Sequence, residues 1–337
     1  MQMTSDRAEA FNVLLSSAGR RVALLNILRR TLREMDLPGS VFAADSSKLS
    51  SAFHAADRAF QVPPCASAEF VPAMLDICRR HGVRLLVPTI DQELPVYAEH
   101  QARFREIGTT VVISSPEVIA LGADKDETHT WFVQMKFPTV GQARVSEVKS
   151  DPERWPFPLV VKPRRGSASI GLAVVADLVE LDIATRGREE FVVQTPARGD
   201  EYTIDLLADE RGSCVGVVPR RRIEVRSGEV SKGVTSRSDA LIELARCICE
   251  ALPGPYGPLT IQVFMDRSTG ETRVIEINPR FGGGFPLSWQ AGAAFPRRMI
   301  EEILGIEPGT PVDRWKDGLV MLRYDEGVFV DSAAAGV

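Results

Sequence analysis

The stretch LTIQVFMDRSTGETRVIEINPRF, residues 259–281, decides how the rest of the chain is interpreted. Residues 260–265 and 272–277 alternate apolar and polar side chains around the polar segment Asp-Arg-Ser-Thr-Gly, and this pattern predicts a β-hairpin. If the hairpin is centred on that segment, Gln262 faces Glu276 across the two strands. We therefore expect these two oxygen-bearing side chains on one face of a sheet.

Two more polar residues follow the second strand of this hairpin. Asn278 lies two positions beyond Glu276, so it points the same way if the strand continues, and Arg280 comes just after it. Hard oxygen ligands, with room for water and phosphate, are what Mg²⁺ prefers. A magnesium site is one interpretation of the stretch, and an ordinary edge hairpin with a solvated polar face is the other.

Length and composition set the class of protein. The chain has 337 residues, of which 44% are hydrophobic and 25% charged, as in a globular protein of two or three domains. The net charge of −5 without a basic block gives no support to nucleic-acid or membrane-surface binding. The first ten residues lack the apolar run of a signal peptide, and the five cysteines show no paired framework, which favours reduced thiols and a cytoplasmic protein.

Residues 12–115 alternate predicted strands and helices, which implies a parallel sheet with ligands at the carboxyl ends of its strands. Gly19, Asp45, Asp91 and Glu93 fall at such ends. Asp91 and Glu93 are candidates for contact with substrate or magnesium, and helix capping by Asp91 with Glu93 supporting the first turn is the alternative. The segment around Gly19 has one glycine where a dinucleotide fingerprint needs three.

Two lysines are candidate phosphate ligands. Lys125 follows the predicted N-cap Asp124, where a cation opposes the helix dipole unless an anion lies nearby. Lys162 ends a buried strand within FPLVVKPRRGSASIGLAVV, residues 157–175, and a loop rich in Gly, Ser and Arg follows it. Such a loop can lay its amides over phosphate oxygens, or it is a flexible surface hairpin.

Two further segments allow both a functional and a structural interpretation. The link Gln194-Thr195-Pro196-Ala197 joins two strands and either offers backbone groups to a flat adenine or is a plain connector. Arg220, Arg222 and Arg226 have even spacing along a predicted strand. Three cations on one face repel each other unless they meet anions, so they line a carboxylate or triphosphate pocket or form a solvated face.

The order of these motifs resembles the ATP-grasp superfamily, and most closely its carbamoyl-phosphate-synthase-like ligases. The resemblance covers nearly the whole chain and implies an α/β fold, in which an N-terminal parallel α/β (pre-ATP-grasp) domain precedes a two-part α+β ATP-grasp fold. The domains expected from it are a disordered tail at 1–11, the pre-ATP-grasp domain at 12–115, the ATP-grasp domain at 116–305 with a lid subdomain at about 125–195, and a C-terminal extension at 306–337 that packs on the ATP-grasp domain.

The resemblance also implies a role for each motif residue. The residues implied to contact ATP are Lys125, Lys162, Gly166, Ser167, Ser169, Gly171, Gln194, Thr195, Pro196, Ala197, Glu201 and Arg226. The residues implied to hold metal are Gln262, Glu276 and Asn278, and those implied to act in catalysis are Arg280 and Lys162. Members of the family often have glutamate at the positions of Gln194 and Gln262. Asp91, Glu93, Arg220 and Arg222 are the expected substrate contacts.

The function implied is an ATP- and Mg²⁺-dependent ligase that joins a small-molecule carboxylate to an amine through an acyl-phosphate, releasing ADP and phosphate. Mn²⁺ is the alternative metal. The alternative functions are a nucleotide-binding protein without turnover, and a carbamoyl-phosphate-synthase-like or kinase-like enzyme that stops at a phosphorylated product. The expected partners are the small-molecule substrates and a second copy of the chain in a homodimer, with neither nucleic acid nor membrane.

Overall fold

A computed structural model describes residues 10–166, 170–186, 188, 190–226, 228–309 and 311–337. The predicted tail at 1–11 lies outside the described residues except for Ala10 and Phe11. Phe11 is buried and its N–H donates to the Pro38 carbonyl at 2.7 Å, so it belongs to the folded chain. No helix in the described part is both long and apolar enough to cross a bilayer.

The chain divides into two compact units. The first contains the described residues up to Pro116 together with Gly292–Arg314 and Tyr324–Val337, and the second contains Glu117–Ala291 and Trp315–Arg323. Of the predicted C-terminal extension, only Trp315–Arg323 therefore belongs to the second unit.

The first unit is built on a five-stranded parallel sheet in the order β3-β2-β1-β4-β5. Its strands are β1 Asn12–Ser16, β2 Val41–Asp45, β3 Arg58–Gln61, β4 Val83–Pro88 and β5 Thr110–Val111. Its helices are α1 Val22–Glu34, α2 Ser51–Ala55, α3 Phe70–Arg80 and α4 Leu94–Glu106, with a 3₁₀ turn at Asp91–Glu93. The predicted parallel sheet is confirmed. The sequence did not predict β3, because its half-exposed residues carry no apolar alternation.

The second unit contains two antiparallel sheets. Helices α5 Pro116–Ala123 and α6 Lys125–Gln134 lead into the smaller sheet, of order β6-β9-β7-β8. This part consists of β6 Gln142–Arg144, α7 Val145–Ser150, a 3₁₀ turn at Pro152–Arg154, β7 Leu159–Pro163, β8 Ala173–Val175, α8 Leu178–Thr185 and β9 Phe191–Gln194.

The larger sheet has six strands in the order β14-β13-β10-β11-β12-β15. Its elements are β10 Asp200–Ala208, β11 Cys214–Arg226, β12 Glu229–Thr235, α9 Asp239–Ala251, β13 Gly257–Met265, β14 Thr272–Asn278, α10 Phe285–Ala291 and β15 Val320–Leu322. Helix α9 buries Leu241, Ala245 and Ile248 against β10 and β11, because apolar residues recur on that face. Helices α11 Phe295–Ile303 and α12 Ser332–Ala335 belong to the first unit.

Candidate active site

The hairpin formed by β13 and β14 has the register expected from the sequence. Gln262 pairs with Glu276 and Thr260 pairs with Asn278. The Asn278 Nδ2 atom donates to Glu276 Oε1 at 3.1 Å, and Arg280 Nη2 donates to Asn278 Oδ1 at 3.5 Å. A bulge beside Gln262 interrupts the ladder, and such bulges redirect side chains next to functional sites. The prediction that these side chains converge at one end of the hairpin is confirmed.

The donor atoms at this end of the hairpin fit a magnesium ion. Glu276 supplies a carboxylate, and Gln262 and Asn278 each supply an amide oxygen. Mg²⁺ is commonly held by one or two carboxylates together with phosphate oxygens and water. Among the described residues no three His, Cys, Asp or Glu side chains stand together as a metal cluster, so a metal held by protein carboxylates alone has no site there. A magnesium ion shared with nucleotide phosphates is consistent with this donor set.

Lys162 lies in β7, and its side chain is buried next to three other charged groups. Its exposed fraction is 7%. The pKa of Lys162 is lowered to about 8, chiefly by burial and to a smaller extent by Lys125, while Glu276 and Glu201 act in the opposite direction. Because Lys125, Glu201 and Glu276 each influence Lys162, the smaller sheet, helix α6 and the larger sheet bring their predicted site residues together.

Lys125 opens α6 and is attached to the loop that follows β7. Its N–H donates to the Arg164 carbonyl at 3.0 Å, and its Nζ donates to the Gly166 carbonyl at 2.7 Å. The predicted N-cap Asp124 is confirmed, since its carboxylate accepts from the Asp126 N–H. The same carboxylate accepts from Arg164 Nε at 2.6 Å and from Arg165 Nε at 3.2 Å. Burial raises the pKa of Asp124, but these hydrogen bonds outweigh it and hold the pKa below its usual range.

The described ends of the loop after β7 require glycine. Gly166 has φ +113° and Gly171 has φ +77°, in the region that favours glycine. A Cβ on Gly171 would also approach the Pro163 ring to 2.9 Å. Ser167 and Ser169, both predicted to contact ATP, lie outside the described residues.

The predicted adenine segment begins at the end of β9. Gln194 is buried, and its Nε2 donates to Gln142 Oε1 at 2.6 Å. The Thr195 N–H donates to the Gly141 carbonyl at 2.9 Å, and its hydroxyl accepts from the Gly141 N–H at 3.0 Å. Pro196 and Ala197 follow in irregular structure. Gln142, which the sequence did not single out, therefore belongs to this part of the site.

The arginines of β11 pair with acids of the neighbouring strand β10. Arg220 is 1% exposed and its guanidinium contacts both oxygens of Asp205, at 2.7 and 2.9 Å. Arg222 donates to Glu201 at 2.6 Å, and its side chain is also buried. Glu201 also accepts from Gln262 Nε2 at 3.3 Å. The solvated face is therefore wrong for Arg220 and Arg222, because both side chains are buried and paired with acids, whereas their contact with substrate stays a prediction.

The sequence contained a signal for these ion pairs. Glu201 and Asp205 share a face of β10, and the turn residues Asp209 and Gly212 separate this strand from the arginines. A hairpin turn at that point places the acidic side chains of β10 opposite the arginines of β11. Arg226, at the far end of β11, pairs in register with Glu229.

Glu93, in the first unit, is a structural residue. One of its oxygens accepts from the Thr89 N–H at 2.6 Å and the Ile90 N–H at 3.2 Å, and the other from the hydroxyls of Ser16 and Ser17 at 2.6 and 2.7 Å. The prediction that Glu93 contacts substrate is wrong, because the side chain is fully buried and its oxygens are engaged. Its support of the first turn after β4, the alternative interpretation, is confirmed. Asp91 begins the 3₁₀ turn and is partly exposed.

The chain resembles known proteins in both units. Residues 13–112 match the family described as "PylC-like, N-terminal domain", and residues 188–324 match the family described as "ATP-grasp in the biosynthetic pathway with Ter operon". The N-terminal section of the carbamoyl phosphate synthase large chain of Methanopyrus kandleri is 25% identical over 285 residues, which cover 78% of this chain and 50% of that protein. D-alanine–D-alanine ligase B of Xanthomonas campestris is 24% identical over 177 residues, covering 47% of this chain and 56% of that protein.

A solved structure shares the fold. The biotin carboxylase domain of 2-oxoglutarate carboxylase from Hydrogenobacter thermophilus, in complex with MgADP, ADP and bicarbonate, superposes with a TM-score of 0.72. Its sequence identity is 17%, and the match covers 93% of this chain and 74% of that one. This chain spans about half the length of the two curated relatives above.

Proposed function

We propose that this chain is an ATP-grasp enzyme, an ATP- and Mg²⁺-dependent ligase that joins a small-molecule carboxylate to an amine. The observation that carries the proposal is the convergence of Gln262, Glu276 and Asn278 at one end of the β13–β14 hairpin, where Glu276 also acts electrostatically on the buried Lys162. Two lysines that contact phosphate and one carboxylate that binds magnesium are typical of a nucleoside triphosphate site. The match to the ATP-grasp family over residues 188–324 supports the same assignment.

The proposed reaction uses positioning and charge and needs no covalent enzyme nucleophile. The substrate carboxylate attacks the γ-phosphorus of ATP, which gives an acyl-phosphate and ADP, and the amine then displaces phosphate to form the amide. Lys125 and Lys162 hold the phosphates, and Arg280 stabilises charge on the acyl-phosphate. Mg²⁺, or Mn²⁺ in its place, supplies further charge neutralisation when bound by Glu276, Asn278 and Gln262.

The remaining predicted residues complete the proposed ATP site. The segment from Gln194 to Ala197 contacts adenine, Glu201 contacts the ribose, Arg226 lies near the phosphates, and the loop from Gly166 to Gly171 covers the γ-phosphate. Asp91 remains a predicted substrate contact. We also propose domain boundaries of 12–115 and 116–305 and a cytoplasmic location. We further propose that the chain forms a homodimer, which light scattering of the purified chain tests.

One assay tests the proposed reaction. ADP release is measured with pooled small carboxylic acids, with and without pooled amines, in Mg²⁺ and in EDTA. We expect ADP release that needs Mg²⁺ and acid, together with amide formation when amine is present. Absence of ADP under every condition would contradict the ligase proposal and favour nucleotide binding without turnover. ADP with a phosphorylated product and no amide would favour the kinase-like alternative.

A further inference from the structure

A chain of three polar side chains connects the first turn of α6 to the predicted adenine segment. Gln142 Nε2 donates to Asp126 Oδ1 at 3.3 Å and to the Lys125 carbonyl at 3.3 Å. Gln142 Oε1 in turn accepts from Gln194 Nε2 at 2.6 Å. We call Asp126, Gln142 and Gln194 the amide relay.

The chemistry at its first member fixes the direction of the amide relay. A glutamine amide has a donor end and an acceptor end of nearly the same shape, so its orientation has to follow from its partners. An ionised carboxylate and a backbone carbonyl only accept hydrogen bonds. Gln142 must therefore turn its NH₂ toward Asp126 and Lys125, which leaves its oxygen toward Gln194.

The same logic then determines the orientation of Gln194. Because Gln142 presents an oxygen, Gln194 must present its NH₂ to it, and Gln194 Oε1 is the end that remains. Within the described part of the chain, Gln194 Oε1 has no hydrogen-bond partner. It is also absent from the four side-chain polar atoms there that are both unpartnered and sealed from solvent, so it keeps some access to a ligand.

We propose that Asp126 and Gln142 are positioning residues that hold Gln194 Oε1 as a fixed hydrogen-bond acceptor, so that the site selects a 6-aminopurine over a 6-oxopurine. This inference rests on the proposed ATP site, in which Gln194 faces the base. A 6-amino group donates to the fixed oxygen, whereas a 6-oxo group places a second acceptor against it. A free glutamine would rotate and accept both bases, whereas the amide relay prevents that rotation.

The size of the discrimination follows from the cost of an unmade hydrogen bond. A ligand that leaves one buried polar group of its site without a hydrogen-bond partner binds on the order of 10-fold or more weakly. Sites that hydrogen-bond one substrate group reject an analogue lacking it because their own polar atoms are then unpaired. We therefore expect the wild-type chain to bind Mg·ADP at least about 10-fold more tightly than Mg·IDP.

The test compares the dissociation constants of Mg·ADP and Mg·IDP by titration calorimetry, since these nucleotides differ at the 6-position of the base. Gln142→Met removes the fixed partner and frees Gln194, so the preference for ADP should fall by about 5-fold or more. Gln101→Met is the matched control, because Gln101 is also half-buried and donates through Nε2 to a backbone carbonyl, that of Ile113. The control should keep the wild-type preference.

Asp126→Asn is the second variant, for use if Gln142→Met does not fold. An asparagine can donate as well as accept, so it no longer dictates the direction of the amide relay, and the ADP preference should again shrink. Equal binding of ADP and IDP by the wild type, or an unchanged preference in the folded variants, would overturn the inference while leaving the nucleotide site intact. A wild-type chain that binds neither nucleotide would overturn the proposed function, and the inference with it.

Discussion

Two glutamates from the predicted site, Glu93 and Glu276, have opposite surroundings. Glu93 is fully buried, and four hydrogen-bond donors surround its carboxylate. Glu276 is half-buried on β14, and in the described structure one amide, that of Asn278, donates to it. Burial raises the pKa of Glu93, against the effect of its hydrogen bonds. The carboxylate of Glu93 is engaged in hydrogen bonds within the fold, whereas that of Glu276 keeps lone pairs for a metal ion.

The difference shows that a polar residue at a strand end is not by itself a site. Glu93 connects the end of β1 with the segment after β4, since Ser16 and Thr89 both contact it. Glu276 instead acts on Lys162 of another sheet, a cation that is itself buried. Opposite charges held close in a partly buried position are the arrangement expected of a binding site. The comparison predicts that substitution of Glu276 lowers activity with little effect on stability, and that substitution of Glu93 mainly lowers stability.

The largest effect is expected from Glu276→Ala. The substitution removes the one carboxylate of the proposed metal site, so Mg²⁺-dependent ADP release should fall by about 1000-fold or more. The free energy of unfolding should change by less than about 1 kcal/mol, because the side chain is half-buried and makes few contacts. The measurements are ADP release against Mg²⁺ concentration and urea unfolding. Wild-type turnover in this variant would show that the metal site is elsewhere.

Glu93→Ala should reverse that pattern. It leaves the N–H groups of Thr89 and Ile90 and the hydroxyls of Ser16 and Ser17 without their acceptor, which should cost about 3 kcal/mol in the free energy of unfolding. Urea unfolding with Glu276→Ala as the reference measures the contrast. Glu93→Gln restores an oxygen for the two N–H groups and should recover part of the loss. A Glu93→Ala chain as stable as wild type would mean that these hydrogen bonds contribute little.

Local patterns were sufficient to predict part of the fold and of the site. The β13–β14 hairpin joins two alternating strands through a short polar turn, so its register follows from the sequence, and the pairing of Gln262 with Glu276 is confirmed. The parallel sheet of the first unit is likewise confirmed, because each strand is followed by a helical pattern.

Contacts between residues far apart in the sequence could not be predicted in this way. The carboxylate of Glu93 meets Ser16 across 77 positions, and Gln194 meets Gln142 across 52. No periodicity indicates such meetings, since they depend on how separate elements pack. The ion pairs of Arg220 and Arg222 are an intermediate case, because their acids lie on the adjacent strand of the same hairpin.

The smallest effect concerns Lys162, the buried cation on which Glu276 acts. Its pKa is lowered to about 8, chiefly by burial, whereas in the unfolded chain it titrates near the ordinary lysine value of 10.5. Between these values the unfolded state binds more protons than the folded state, so the stability of the unliganded chain should rise with pH from about 8 to 10.5. Below that window the buried charge opposes folding.

Lys162→Met removes this titration and fills the same space with an apolar side chain. The variant should be about 1 kcal/mol more stable than wild type at pH 7, and the advantage should disappear as the pH approaches 10.5. It should also bind Mg·ADP more weakly, because one phosphate-binding cation is gone. Urea unfolding of both chains between pH 7 and pH 10.5 isolates the contribution of Lys162 from that of other titrating groups. A stability difference that does not change with pH would show that Lys162 keeps an ordinary pKa. Its charge would then not lower the free energy of unfolding.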